Sequence, residues 1–356
     1  MLSWSRCWGW TRGRSPRRLE ADAQPFATRM DRNPAPMILL FGMPRSGTTW
    51  IGKIFDSHPD TLYRHEPDSW GLLNALPLAA ALEETERYQD TIRTFCAQLP
   101  GMSRTKVAAS TPIFPKNYYS PLRYQLFRLN VFAVKAAARV AGEQPVHNFI
   151  RAADLPRIRV VWKSVESLGR LGVVARAMQP CHGIHIARHP CGYVASVLRG
   201  ESRRKFGDEV AASEDTPLLE RWLDTPAARR HGLTLDGLKA MHPVERLAWR
   251  WVLYNAKAMQ DVAEQPGCMT LRYEDLCRDP LGVARQLFEF TRLPWNPQTE
   301  RFVSESTSRD VGRYYSVVKD PLKASSKWKG ELSAEDIYRI YAVVAQTEPG
   351  ALYPRD

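Results

Sequence analysis

Seven consecutive residues, Pro44-Arg45-Ser46-Gly47-Thr48-Thr49-Trp50, gather one arginine, three hydroxyls and a glycine. Counted from Gly42, the stretch has the outline G-x-x-x-x-G-x-T. This is close to the nucleotide-triphosphate loop G-x-x-x-x-G-K-[ST], but Thr48 stands where the lysine belongs. Backbone N–H groups of such a loop, exposed where a helix begins, make an anion nest that needs no particular side chain. The missing lysine is the one that reaches β and γ phosphates. A donor with a single 5′ phosphate needs no such reach. Arg45 is placed to neutralise charge on a departing bridging oxygen, and Ser46, Thr48 and Thr49 add hydroxyl donors.

Through Trp50 the loop resembles the phosphosulfate loop of the sulfotransferase superfamily, P-[KR]-[SG]-G-T-[TS]. The resemblance implies an activated sulfate donor, 3′-phosphoadenosine 5′-phosphosulfate (PAPS), as co-substrate, with Trp50 beside its adenine and Gly47 in the nest. PAPS carries a 3′ phosphate, so a second anion site is expected. The stretch Ile184–Arg199 is similar to the family's second motif, in which an arginine ends a strand and a serine follows eight residues later; here these are Arg188 and Ser196. The arginine offers a planar fork to a phosphate and the serine a hydroxyl from one side. Tyr273-Glu274-Asp275-Leu276 resembles the family's Y-E-[DE]-L, whose tyrosine approaches the adenine. The run Ser325-Ser326-Lys327-Trp328-Lys329 resembles a C-terminal segment that closes over the 3′ phosphate, which makes Ser326, Lys327 and Trp328 candidates. A core tyrosine and surface lysines are the ordinary readings of these last two. The landmarks run in order from Met37 to Tyr353, with 70–150 and 200–240 unmatched.

Transfer of a sulfuryl group to an alcohol needs a base for the acceptor's proton and cations for the leaving phosphate oxygen. The family's cytosolic branch has a histidine two residues after a lysine at a strand end. In Trp162-Lys163-Ser164-Val165 a valine occupies that place. The run His58-Pro-Asp-Thr-Leu-Tyr63-Arg-His-Glu66-Pro67 instead resembles the carbohydrate (6-O-type) branch and its bacterial relatives, where the glutamate is the proposed general base. Glu66 is therefore the expected base, with His65 as fallback and Lys163 helping to hold the transferred group. The ordinary reading of Glu66 is a loop carboxylate paired with Arg64 or capping a helix. The implied acceptor is a hydroxyl on a sugar, glycolipid or other small molecule.

These residues need a frame. Met37–Gly42 is a short apolar run ended by Gly-Met-Pro, which predicts a buried strand, and Trp50, Ile51, Ile54 and Phe55 follow at helical spacing. Strand candidates recur at Ile158–Trp162, Gly183–Ala187 and Cys268–Leu271, each with a helical stretch after it. Alternating strands and helices predict an α/β fold with a central parallel sheet flanked by helices, P-loop-like and three-layered. Domain organisation is read as a loosely ordered basic tail over 1–36, then one domain over 37–356 with a mainly helical insertion at about 70–150. Within that insertion Tyr118–Val140 mixes apolar residues with Arg123, Arg128, Lys135 and Arg139. Such a helix packs one side and solvates the other, or lies on a membrane or grips an acidic acceptor. Arg203, Arg204 and Lys205 read as a solvated face.

Composition sets outer bounds. The chain has 356 residues, 50 Lys plus Arg against 38 Asp plus Glu, and a net charge of +12, which favours anionic partners. Its six cysteines form no C-x-x-C pair, so reduced thiols are expected, with no zinc site or required metal. The basic N-terminus has no continuous apolar region, and the expectation is a cytoplasmic protein, with peripheral contact to an acidic membrane surface left open. No RNP-type motif, zinc finger or helix-turn-helix signature points to nucleic acid. Two rivals remain. A small-molecule or nucleotide kinase should have lysine after Gly47 and an acidic Mg²⁺ site; a non-catalytic module would bind anions without chemistry.

Overall fold

Five short apolar runs become one parallel sheet: β1 Met37–Gly42, β2 Thr61–His65, β3 Arg159–Ser164, β4 Cys181–Ala187 and β5 Cys268–Arg272. The computed structural model describes residues 35–69, 71, 73–202, 211–308 and 320–355. The expected tail, apart from 35–36, lies outside the described residues, as do Arg203, Arg204 and Lys205. Strand order is β2-β3-β1-β4-β5, and every pairing is parallel. Parallel strands covered on both sides read as unbroken apolar runs, which is why β1 is buried at all six positions.

Alternate residues of the strands feed two cores. Leu39, Phe41 and Trp162 meet helices α2 (Thr85–Gln98), α4 (Leu171–Ala177) and α6 (Pro243–Ala263) through Phe95, Val174 and Trp251. Ile38, Leu40, Val161 and Ile184 meet α1 (Thr48–Asp56) and a later helix (Pro280–Phe290) through Ile51, Phe55 and Phe288. Helix, sheet, helix is the expected three-layer arrangement. One element differs. Thr61–His65, not among the strand candidates of the sequence, is the edge strand β2, paired with β3 from Thr61↔Arg159 to His65↔Lys163. Its alternation is masked because both faces are covered: Leu62, Tyr63 and Arg64 are all buried. Arg64 does not pair with Glu66. Its Nε and Nη2 donate to the carbonyls of Leu99 (2.6 Å) and Pro100 (2.6 Å).

The insertion holds α2, a one-turn helix at Thr105–Ala108 and the long α3 (Pro121–Ala141). A buried charge cluster fastens it to α1. Lys53 Nζ donates to Asp56 Oδ2 (2.7 Å) and to the carbonyls of Ser110 (2.6 Å) and Pro112 (3.0 Å). Lys116 Nζ lies 3.1 Å from Asp56 Oδ1 and donates to the His58 carbonyl (3.0 Å). Burial alone pushes the Asp56 carboxyl upward, but Lys53 and Lys116 more than offset this and hold it below the usual carboxylate range. One carboxylate thus serves as shared counter-ion to two ammonium groups from two parts of the chain.

Removing that carboxylate leaves two buried cations without a counter-charge. Asp56→Asn should lower stability by about 3 kcal/mol at neutral pH, measured by urea unfolding. A group with a depressed folded pKa stabilises above its unfolded value, about 3.9 for aspartate, and loses that contribution as pH falls through the folded pKa. The gap between parent and variant should therefore shrink in acid. A gap that grows below about pH 4 contradicts the ion cluster.

Candidate functional site

Order β2-β3-β1-β4-β5 sends the chain one way from β1 and the other way from β4, leaving a crevice between their carboxyl ends. A cleft of about 470 Å³ opens there. Each strand places a residue at its carboxyl end in the lining: Arg45 after β1, Glu66 after β2, Lys163 in β3, Arg188 after β4 and Tyr273 after β5. Lys106 and Lys135 reach the same cleft from the insertion. Five basic side chains, Arg45, Lys106, Lys135, Lys163 and Arg188, thus face one lining carboxylate, Glu66.

The loop after β1 is built from backbone turns. Arg45 and Gly47 both have positive φ (74° and 84°), and the Gly47 carbonyl accepts from Trp50 N (3.0 Å) to start α1. A Cβ on Gly47 would lie 2.3 Å from the Tyr273 ring, so close approach and conformation both require glycine there. Ahead of the Trp50–Gly47 bond, the amides of Thr48 and Thr49 have no carbonyl partner within α1, which gives the cleft N–H donors at the helix start. Thr48 and Thr49 line the cleft. Ser46 is buried and its hydroxyl donates to the Met43 carbonyl, so it braces the turn.

The two motifs meet through Arg45. Its Nε donates to Ser196 Oγ (3.0 Å) on α5 (Pro190–Ser202), and its carbonyl accepts from Arg188 Nη1 (2.6 Å). Ser196 also accepts from Arg199 Nη2 (3.3 Å) and lies behind the arginine, not in the lining. Arg188 stands 5.1 Å over the Tyr273 ring, and Nη2 donates to the Ala324 carbonyl (3.0 Å). Its Nε is buried with no hydrogen-bond partner. An orphaned buried guanidinium N–H amid a cationic lining fits an anionic ligand on this loop.

Trp50 lines the cleft edge-on to Tyr273 (6.3 Å), with Nε1 donating to Ser306 Oγ (3.0 Å). The C-terminal candidates fall elsewhere. Ser326 and Lys327 are exposed; Ser326 Oγ donates to the Leu322 carbonyl (2.8 Å) and Lys327 pairs with Glu331 (3.3 Å). Trp328 stacks on His189 at 4.5 Å. Of the helix Pro321–Ser326 and the turn Lys327–Gly330 that carry them, only Pro321 enters the lining.

On the opposite wall, register does the positioning. His65 pairs with Lys163, and Glu66 N donates to the Lys163 carbonyl (2.8 Å), which brings the two side chains together. Lys163 Nζ donates to Glu66 Oε1, while Lys106 Nζ lies 3.3 Å from Oε2. Glu66 has a positive φ of 49°, a strained backbone held by these contacts. Burial pushes its carboxyl up, yet Lys163, His65 and Lys106 more than offset this and leave it well below the usual range. Burial and the neighbouring lysines lower His65 to about 3. Its Nδ1 is hydrogen-bonded to the Tyr63 hydroxyl (2.8 Å). Sequence reasoning did not single out Lys106, and named Lys135 only as one cation of an amphipathic helix, not as a cleft residue. Both sit in the unmatched insertion, where only folding tells a cleft lysine from a solvated one.

A parallel sheet flanked by helices, with a cationic cleft at its switch point, defines the class as an α/β protein whose carboxyl-end cleft is electropositive. The sequence profile of the sulfotransferase family matches residues 36–234, and the chain belongs to that family of enzymes. It is 22% identical to human (Homo sapiens) carbohydrate sulfotransferase 5 over 333 residues, 86% of this chain and 75% of that protein. Mus musculus carbohydrate sulfotransferase 5 is 23% identical over 321 residues, 85% of this chain and 77% of its own length. The sulfotransferase domain from the curacin biosynthetic pathway aligns with a TM-score of 0.44 at 16% identity, covering 88% of this chain and 99% of that domain.

With Glu66 ionised and His65 neutral in the free protein, neither group should titrate near neutrality. The kcat/KM profile should show no acid limb from either above about pH 5. An acid limb near pH 6–7 that disappears in His65→Gln contradicts this electrostatic arrangement.

Proposed function

We propose that this cleft moves a sulfuryl group from PAPS to a hydroxyl of a sugar-bearing acceptor, with Glu66 as the base. One observation carries the reading: the phosphate loop with Arg45, the anchor Arg188 and the Glu66–Lys163 pair line a single cleft. PAPS supplies an activated S–O bond; in transfer the acceptor oxygen forms a new bond to sulfur as the bond to the 5′ phosphate oxygen breaks. Arg45 and the loop amides hold the negative charge that gathers on the departing oxygen. Arg188, braced by the Arg45 and Ala324 carbonyls, offers its unused Nη hydrogens to the 3′ phosphate. Tyr273 and Trp50 form the apolar wall for the adenine.

The resting ion pair has a role in this reading. A carboxylate clamped by two lysines is a poor proton acceptor. Lys163 and Lys106, drawn toward transferring oxygens, leave Glu66 with less opposing charge, and its proton affinity rises when the acceptor hydroxyl must be deprotonated. The family's named relatives support a sugar hydroxyl as acceptor, and the insertion segment Thr105–Thr111 with Lys135 forms the wall that would meet it. Thr48 in place of a lysine weighs against a kinase.

Glu66→Gln should reduce turnover by about 10³-fold or more while leaving affinity for adenosine 3′,5′-bisphosphate within a few-fold of the parent. Near-normal turnover in that variant removes Glu66 as base. In calorimetry the parent should bind the bisphosphate and discriminate against ATP. Tight ATP binding with none of the bisphosphate overturns the donor assignment.

A further inference from the structure

Helix α3 is apolar on both sides. Phe127, Val131 and Val134 pack inward against Ala109 and Val146. Most of the large apolar side chains exposed among the described residues lie on its outer side: Leu122 (70%), Leu126 (42%), Leu129 (65%), Phe132 (55%) and Val140 (94%). Leu122, Leu126, Leu129, Ala133, Ala136 and Val140 follow at spacings of four, three, four, three and four residues, a single stripe along the helix. Phe132 widens it. At 1.5 Å per residue the stripe runs for roughly 27 Å. The solvated side of the sequence reading is therefore not polar, and an exposed apolar surface of this length marks an interaction face.

Charge identifies the occupant. The helix carries Arg123, Arg128, Lys135 and Arg139, and no Asp or Glu anywhere in its 21 residues. Arg123 on one flank lies 3.8 Å from Asp154, while Arg128 on the other flank hydrogen-bonds Gln125 (3.2 Å). A second copy of the chain would bring like charge onto like charge, in a protein whose net charge is already +12. An anionic bilayer complements both features: acyl chains take the leucines and phenylalanine, and headgroups take the flanking cations. Among the described residues no helix is long and apolar enough to cross a membrane, so α3 would lie in the interface.

We propose that the outer face of α3 docks this protein on an anionic lipid surface. Lys135, on a different side of the same helix, lines the cleft, so the docked helix is also part of the cleft wall. The test uses the whole chain with vesicles of phosphatidylcholine alone or with about one-third phosphatidylglycerol. The parent should pellet with the anionic vesicles at least about tenfold more strongly than with the neutral ones, and added salt should weaken binding. Leu126→Glu/Leu129→Glu, exposed positions outside the cleft, should lose about tenfold or more of that binding while keeping the parent's affinity for adenosine 3′,5′-bisphosphate. That second readout separates failure of docking from failure of the transfer assignment.

Three outcomes overturn the proposal: no anionic-vesicle binding by the parent, equal binding to both compositions, or full binding by the double variant. A dimer in sedimentation that the same substitutions dissolve, without vesicle binding, assigns the face to a second copy instead.

Discussion

One buried carboxylate against a convergence of cations is the constraint around which the molecule is arranged. Arg45, Lys106, Lys135, Lys163 and Arg188 line one cleft, and like charges in a poorly solvated space repel. Glu66, paired with Lys163 and Lys106, offsets part of that cost. The remaining positive field makes the cleft an anion site. It also fixes the state of Glu66, which the adjacent lysines keep ionised.

Holding those cations together requires rigid supports, and the sheet provides them. Every strand ends at the cleft, so its lining comes from five parallel elements whose register is set by hydrogen bonds and by cores on both faces. Register His65↔Lys163 brings Glu66 to Lys163; a one-residue slip would send the lysine to the opposite face. Arg45, Ser196 and Arg188 interlock across the switch point, joining the loop after β1 to the loop and helix after β4.

The insertion completes the cleft only because it is fastened at depth. Asp56 with Lys53 and Lys116, and Arg64 on the carbonyls of Leu99 and Pro100, tie it to α1 and β2 by charges that are costly to expose or to separate. That rigidity gives Lys106 and Lys135 fixed places opposite the loop. It also leaves α3 with its inner side committed to packing and its outer side apolar and uncovered.

The local pieces were legible in the amino-acid sequence because their signals are local. Met37–Gly42 is apolar without interruption, Gly47 precedes a helix, and Thr48 replaces a lysine; strand, turn and anion nest follow from short-range sterics and backbone hydrogen bonding. Arg188 and Ser196, eight residues apart, were also within reach of sequence reading; Ser196 accepts a hydrogen bond from Arg45 and lies outside the cleft lining. Ser326 and Lys327 sit outside the lining, since basic and hydroxyl residues look alike on either side of a short helix.

What only the tertiary structure decided are the long-range matters. Thr61–His65 is a strand because β3 lies beside it, and the Glu66–Lys163 pair closes a sequence separation of 97 residues. Lys106, Lys135 and the uncovered face of α3 acquire their meaning from what packs behind them, and no local spacing encodes that.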